Sequence, residues 1–157
     1  MSLENLIKAA YNESVEGNRQ GDKLEEIEAI QRYIRSSKKI IIPNWNQTKV
    51  NIINKVLKDF QIPEAEHFEF HTNSADLSRM PAITKAQMAL DLCECDLVIA
   101  RGRLGIPGSG SLMVILDSKG RVLTGATSPS HVVHKKDLDE AVEDEITQCL
   151  ERIGLKK

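Results

Sequence analysis

Twelve residues, RGRLGIPGSGSL from Arg101 to Leu112, gather two arginines, four glycines and two serines between apolar stretches. Arg101 and Arg103 carry permanent charges whose planar forks suit phosphate or carboxylate. Gly102, Gly105, Gly108 and Gly110 permit close backbone approach and positive φ, and Ser109 and Ser111 add hydroxyl donors. Such a segment is suited to an anion-binding nest. It is not a Walker loop, because no Gly-Lys-Ser/Thr follows. It is not a dinucleotide fingerprint either, because a strand pattern follows it rather than a helix.

Two further polar segments have the same character. In PNWNQTK, Asn44, Asn46, Gln47 and Thr48 precede a helical pattern and Lys49 falls in its first turn. A helix N-terminus offers free N–H groups and a partial positive charge, so a lysine there has the wrong sign unless an anion is bound. Trp45 either covers a ligand ring or packs. The third segment, TSPSHVVHKK, holds Thr127, Ser128, Ser130, His131, His134, Lys135 and Lys136. His131 is a donor to a base or a phosphate, or a surface histidine; His67 and His71 fall on a strand pattern and read as structural. Without a G-x-S-x-G elbow, a serine nucleophile is not expected. The three segments contain no carboxylate. Asp76, Asp96 and Asp117 stand near their edges, and the acids from Asp137 to Glu145 read as a solvated helix face. No carboxylate pair suited to two-metal hydrolysis is evident.

The elements that must position these groups follow from periodicity. Helical stripes run through SLENLIKAAYNES, through KLEEIEAIQRYIRSS with Asp22 as its cap, and through TKVNIINKVLKDF, AITKAQMALDLCEC and DLDEAVEDEITQCLERIGL. The last is capped by Asp137 and ended by Gly154. KKIIIP and DLVIA read as buried strands, and HFEFHT alternates as a third. LMVILD and RVLTGA flank the glycine turn SKG as a hairpin. The order ααβαβαβββα predicts a three-layer α/β domain around a mixed sheet, spanning residues 1–157. In such sheets ligands bind beyond the carboxyl ends of the strands, where all three polar segments are predicted to fall.

Composition narrows the partners. The chain has 157 residues, 41 % apolar, and a formal net charge of −2. No basic field points to duplex nucleic acid. No apolar run approaches the ~20 residues of a membrane span, and the first residues lack signal-peptide order, so a cytoplasmic protein is expected. Cys93, Cys95 and Cys149 lack the second ligand pair of a zinc site and read as reduced thiols.

The motifs carry a resemblance. NQTK (Asn46 to Lys49), GIPGSGS (Gly105 to Ser111) and the pair Ser130–His131 resemble, in the same order, the N-x-x-K, G-x-P-G-x-x-S and Ser-His motifs of the inosine-triphosphate pyrophosphatase family. That family carries an acid just before its glycine loop; here the stretch is IARGRLG. The full chain, above all ARGRLGIPGSGSL with SPSHVVHKK, more closely resembles the guanylyltransferases of iron-guanylylpyridinol cofactor biosynthesis, which serve the mono-iron hydrogenase of methanogenic archaea. The resemblance implies an inosine-triphosphate pyrophosphatase-like fold, a homodimer and Mg2+. It also implies transfer of GMP from GTP to the hydroxyl of a carboxymethyl-pyridinol, with release of pyrophosphate. Lys49, Arg101 and Arg103 would hold the phosphates. Asn44, Asn46, Thr48, the glycine loop, Thr127, Ser128, Ser130 and His131 would bind the nucleotide, and Lys135 or Lys136 the carboxymethyl group. The alternatives are a nucleoside-triphosphate pyrophosphatase and a non-catalytic nucleotide-binding protein.

Overall fold

Every buried strand residue in the centre of the chain belongs to one five-stranded sheet of order β2-β1-β3-β4-β5. The computed structural model describes residues 2–44 and 46–157, so Trp45 lies outside the described residues. The elements are α1 (Leu3–Glu16), α2 (Leu24–Ser36), β1 (Ile40–Pro43), α3 (Gln47–Asp59), β2 (Glu66–Phe68), a 3-10 turn (Ala75–Leu77), α4 (Pro81–Leu92), β3 (Leu97–Arg103), β4 (Ser111–Asp117), β5 (Val122–Ser128), α5 (His131–His134) and α6 (Leu138–Glu151). The three-layer α/β architecture with a mixed sheet agrees with the sequence expectation.

The local reasons are simple. The triple isoleucine of β1 is buried on both faces because β2 and β3 flank it in parallel and helices cover it above and below. Alternation along β3 sends Leu97 and Ile99 into a core shared with α2, α3 and α6, and Val98 and Ala100 into a second core under α4. The alanine-rich face of α4 (Ala82, Ala86, Ala89) lets that helix lie close on the sheet. β3, β4 and β5 form an antiparallel meander.

Four local expectations change. β2 is only three residues long, because at the sheet edge it pairs only with the short β1. β3 runs on through Arg103, since β4 continues to pair with it as far as Ser111. The segment after β5 is not all loop: Thr127 and Ser128 remain in the strand, and 131–134 make one helical turn capped by Ser130 Oγ. Asp22 does not cap α2; it meets Arg19, while Glu26 turns back to accept from the Lys23 N–H. The three cysteines are free thiols, and burial pushes Cys149 up to about 12.

Candidate active site at the carboxyl edge of the sheet

Strand direction decides where the polar segments meet. β1 and β3 are parallel, and β5 is antiparallel to β4 and therefore parallel to β3. The carboxyl ends of β1, β3 and β5 and the start of β4 thus share one edge. Register fixes it: Arg103 pairs with Ser111, and Ser111 with Ser128. Asp117 pairs with Leu97 at the opposite edge, and Asp96 precedes it there, so both are far from this site. Asp76 alone of the three edge acids stays, with its carbonyl accepting from Arg103 Nη1 at 3.0 Å.

The same alternation that buries Leu97 and Ile99 puts Arg101 on the α6 side of β3. There it meets Glu145. Arg101 Nε donates to Glu145 Oε1 at 2.6 Å, and Nη2 donates to Ser111 Oγ at 3.0 Å and toward Glu145 Oε2 at 3.4 Å. Ser111 Oγ in turn donates to Glu145 Oε2. Glu145 is 0 % exposed, which overturns the expectation of a solvated acidic face at this position. The one acid of α6 that alternation and helical period aim at the sheet is the one that must pair with a cation. Its partner is therefore not a free arginine, and the Ser111 hydroxyl is committed as well.

Lys49, in the first turn of α3, and Lys85, in the middle of α4, approach the same strand end from opposite faces of the sheet. Lys85 Nζ donates to the Arg101 carbonyl at 2.8 Å. Burial lowers the proton affinity of both lysines; Arg101 lowers it further at both and Lys49 lowers it at Lys85, while Asp76 opposes the shift at both. Two desolvated ammonium groups beside an arginine make a strongly anion-seeking locus. Sequence reasoning missed Lys85. Its signal was a lone cation in PAITKAQMAL, next to the buried small residues that seat the helix on the sheet.

Beside this locus lies a cavity of about 560 Å3, walled by the β3–β4 hairpin on one side and by α5 and the start of α6 on the other. Its size is within the about 300–1,000 Å3 of small-molecule sites. Of the residues expected from sequence, Arg101, Arg103, Gly108, Gly110, Ser111, Ser130, His131 and Lys136 line it, joined by Pro129, His134, Asp137, Leu138 and Ala141. The hairpin loop is partly closed on itself. Ser109 Oγ accepts from the Gly105 N–H and donates to the Ile106 carbonyl, and Leu104 N–H bonds Gly110 O. The amides of Gly108 and Gly110 have no acceptor among the described residues.

The remaining expected residues lie outside the cavity. Asn44, Asn46 and Thr48 sit at the start of α3, where Asn46 Oδ1 caps the Thr48 N–H at 2.9 Å and Asn44 Oδ1 accepts from the Asn46 N–H. His67 steadies this turn, with Nδ1 3.0 Å from Gln47 Oε1 and Nε2 against the Asn44 carbonyl. Gly102 packs against the first turn of α4, where an added Cβ would come within 2.9 Å of the Ala82 nitrogen. Thr127 pairs with Leu112 on the α4 side of the sheet and faces away from the cavity. Ser128 shares the edge without lining the cavity. Lys135 is exposed with φ 58°, and Lys136 pairs with Asp144 at 2.5 Å. His134 Nδ1 accepts from the Lys136 N–H at 2.8 Å, so its proton is on Nε2. Among the described residues no group of three His, Cys, Asp or Glu side chains is placed to hold a metal ion. Among the described residues no helix is long and apolar enough to cross a membrane.

The edge thus offers three clustered cations, free loop amides and a cavity large enough for a ring system. A protein-family model described as FeGP cofactor biosynthesis protein HcgB, guanylyltransferase, matches residues 3–155, nearly the whole chain.

Proposed function

Because the chain belongs to the HcgB family and is a guanylyltransferase of FeGP cofactor biosynthesis, we propose that GTP is its nucleotide donor and that the phosphates bind at the β1/β3 strand ends. The carrying observation is that Lys49, Lys85 and Arg101, distant in sequence, meet at one sheet edge beside the 560 Å3 cavity. The hydroxyl oxygen of a pyridinol attacks the α-phosphorus. The bond from that phosphorus to the bridging oxygen breaks, its electron pair leaves with pyrophosphate, and the hydroxyl proton goes to solvent. Lys49, Lys85 and Arg101 hold the phosphate oxygens and the charge that develops on the leaving group, and Arg103 faces the cavity beside them.

The acceptor needs less help from a base than an aliphatic alcohol would. A ring hydroxyl ionises near the tyrosine value of about 10, and the buried carboxylate at the site, Glu145, has its oxygens taken by Arg101 and Ser111. That arrangement disfavours activation of water and hence simple hydrolysis. Gly108, Gly110, Ser130 and His131 bind the nucleotide in the cavity, with Asn44, Asn46 and Thr48 at the phosphate end. Lys135, or Lys136 released from Asp144, takes the carboxymethyl group. Mg2+ would arrive on the triphosphate, as it does where phosphates provide most of its ligands. A cytoplasmic homodimer completes the proposal.

The test supplies GTP and Mg2+ with and without a carboxymethyl-pyridinol acceptor, and follows pyrophosphate and guanylylated product. Stoichiometric pyrophosphate and product, formed only with acceptor, are expected. GMP and pyrophosphate released at an enzymatic rate without acceptor would overturn the reading.

A further inference from the structure

We propose that Glu145 is the positioning residue of guanylyl transfer: with Ser111 Oγ it clamps the Arg101 guanidinium from the side, leaving Nη1 to face the phosphates. The inference rests on the reading of Arg101 as a phosphate ligand. Of the five guanidinium hydrogens, those on Nε and Nη2 are spent on Glu145 and Ser111. The two on Nη1 have no partner among the described residues. Arg101 lines the cavity with its side chain 17 % exposed, whereas the Glu145 side chain is 0 % exposed and bonds only Arg101 and Ser111 among the described residues.

A buried ion pair is a poor device for stability alone, since apolar residues of the same shape often do as well. It is a good device for fixing a flexible side chain. Arg101 free of Glu145 would have several rotamers; the carboxylate fixes one of them and offsets part of the repulsion between Arg101 and the Lys49 ammonium. Glu145 is itself held by its helix. Asp137, Ala141 and Glu145 recur every fourth residue along the side of α6 that meets the cavity and its rim, and Thr124 Oγ1 ties the Cys149 carbonyl to β5 at 2.8 Å. Hydroxyl, carboxylate and guanidinium therefore come from β4, α6 and β3, and each is set by a rigid element rather than a loop.

The test is a kinetic double-mutant cycle on the full chain, with kcat and KM for guanylyl transfer measured per folded molecule at one temperature. Glu145→Gln keeps the shape and removes the charge. Its kcat is expected to fall about 100-fold, as for a misplaced reacting group, with little change in KM for GTP. In an Arg101→Ala background the same substitution is expected to cause no further loss. Losses that multiply, or a wild-type kcat for Glu145→Gln, would overturn the inference. Should Glu145→Gln fail to fold, Ser111→Ala carries the test, because it leaves the ion pair in place. A smaller fall in kcat that vanishes in the Arg101→Ala background supports the clamp, and one that persists there overturns it. Wild-type turnover by Arg101→Ala itself would instead remove Arg101 from the phosphate site and with it the assignment on which the inference rests.

Discussion

Lys85 and Lys49 are cations held where water is scarce, and that has opposite consequences for stability and for binding. Burial depresses their proton affinity in the folded state. The folded protein therefore binds fewer protons than the unfolded chain between the lowered value and the ordinary lysine value of about 10.4. Through that window their contribution to stability rises with pH, while the positive charge available to phosphates falls. GTP affinity is therefore expected to decline on the alkaline side before an ordinary lysine would titrate. Lys85→Arg, whose charge persists, should flatten the decline, and Lys85→Ala should weaken GTP about 10- to 100-fold, the value of a charge-assisted hydrogen bond. Calorimetric titrations across alkaline pH check this; an unchanged Lys85→Ala affinity would remove the residue from the site. Arg101 differs, because its partner is buried. An arginine that served the phosphates alone would leave the melting temperature nearly unchanged on substitution. With Glu145 at 0 % exposure, Arg101→Ala should cost about 3–5 kcal/mol as well as activity. Restoring much of that stability in Arg101→Ala/Glu145→Gln, seen in chemical denaturation, would identify the stranded carboxylate as the cause.

At the scale of elements, the hairpin between β3 and β4 forms one wall of the cavity because Gly110 lets it lie against the end of β5. Gly110 has φ +92°, and a Cβ there would stand 2.2 Å from the Ser128 carbonyl oxygen. Gly110→Ala is expected to push the hairpin off β5, to cost about 3 kcal/mol and to abolish nucleotide binding. By contrast, Gly108→Ala strains only the loop, with open space around it. Comparing the two by thermal melts and GTP titration separates packing from backbone strain, and equal effects would contradict this account. The amino-terminal helix has a different hold. Glu4 of α1 bonds Arg121 and Lys119 at the β4–β5 turn, and the Arg121 guanidinium first, then Lys119, holds its carboxyl down to about 2. A depressed acid contributes above its unfolded value of about 4.3, and the contribution is lost as pH falls toward 2. Protection of the α1 amides, as exchange relative to the intrinsic rate at each pH, should fall over that interval, and Glu4→Ala should remove the transition; protection independent of pH between 2 and 4 would count against it.

For the whole molecule, what could be read in the sequence was what depends on one residue's neighbours along the chain. The order of helices and strands followed from hydrophobic period, and the shared edge followed from strand direction once the alternation of helices and strands was recognised. What could not be read depends on register and facing. The period of α6 puts Glu145, rather than Glu143 or Asp144, on the stripe of Ala141, Val142, Ile146 and Cys149, but only the facing of β3 shows that Arg101 meets it there. Lys85 was hidden for the same reason, since it reaches a strand end from a helix on the opposite face from Lys49. Thr127 illustrates the converse, a residue placed at the right edge by sequence and turned away by alternation. The central claim is that β1, β3 and β5 bring their carboxyl ends together as a phosphate cradle. A crystal of the protein soaked with GTP and Mg2+ tests it most directly. Density for the triphosphate within hydrogen-bonding distance of Lys49 Nζ, Lys85 Nζ and Arg101 Nη1, with the guanosine running into the cavity bounded by His131 and Gly110, is the predicted result. Triphosphate bound at the Asp96–Asp117 edge, or at a surface remote from Arg101, would contradict it.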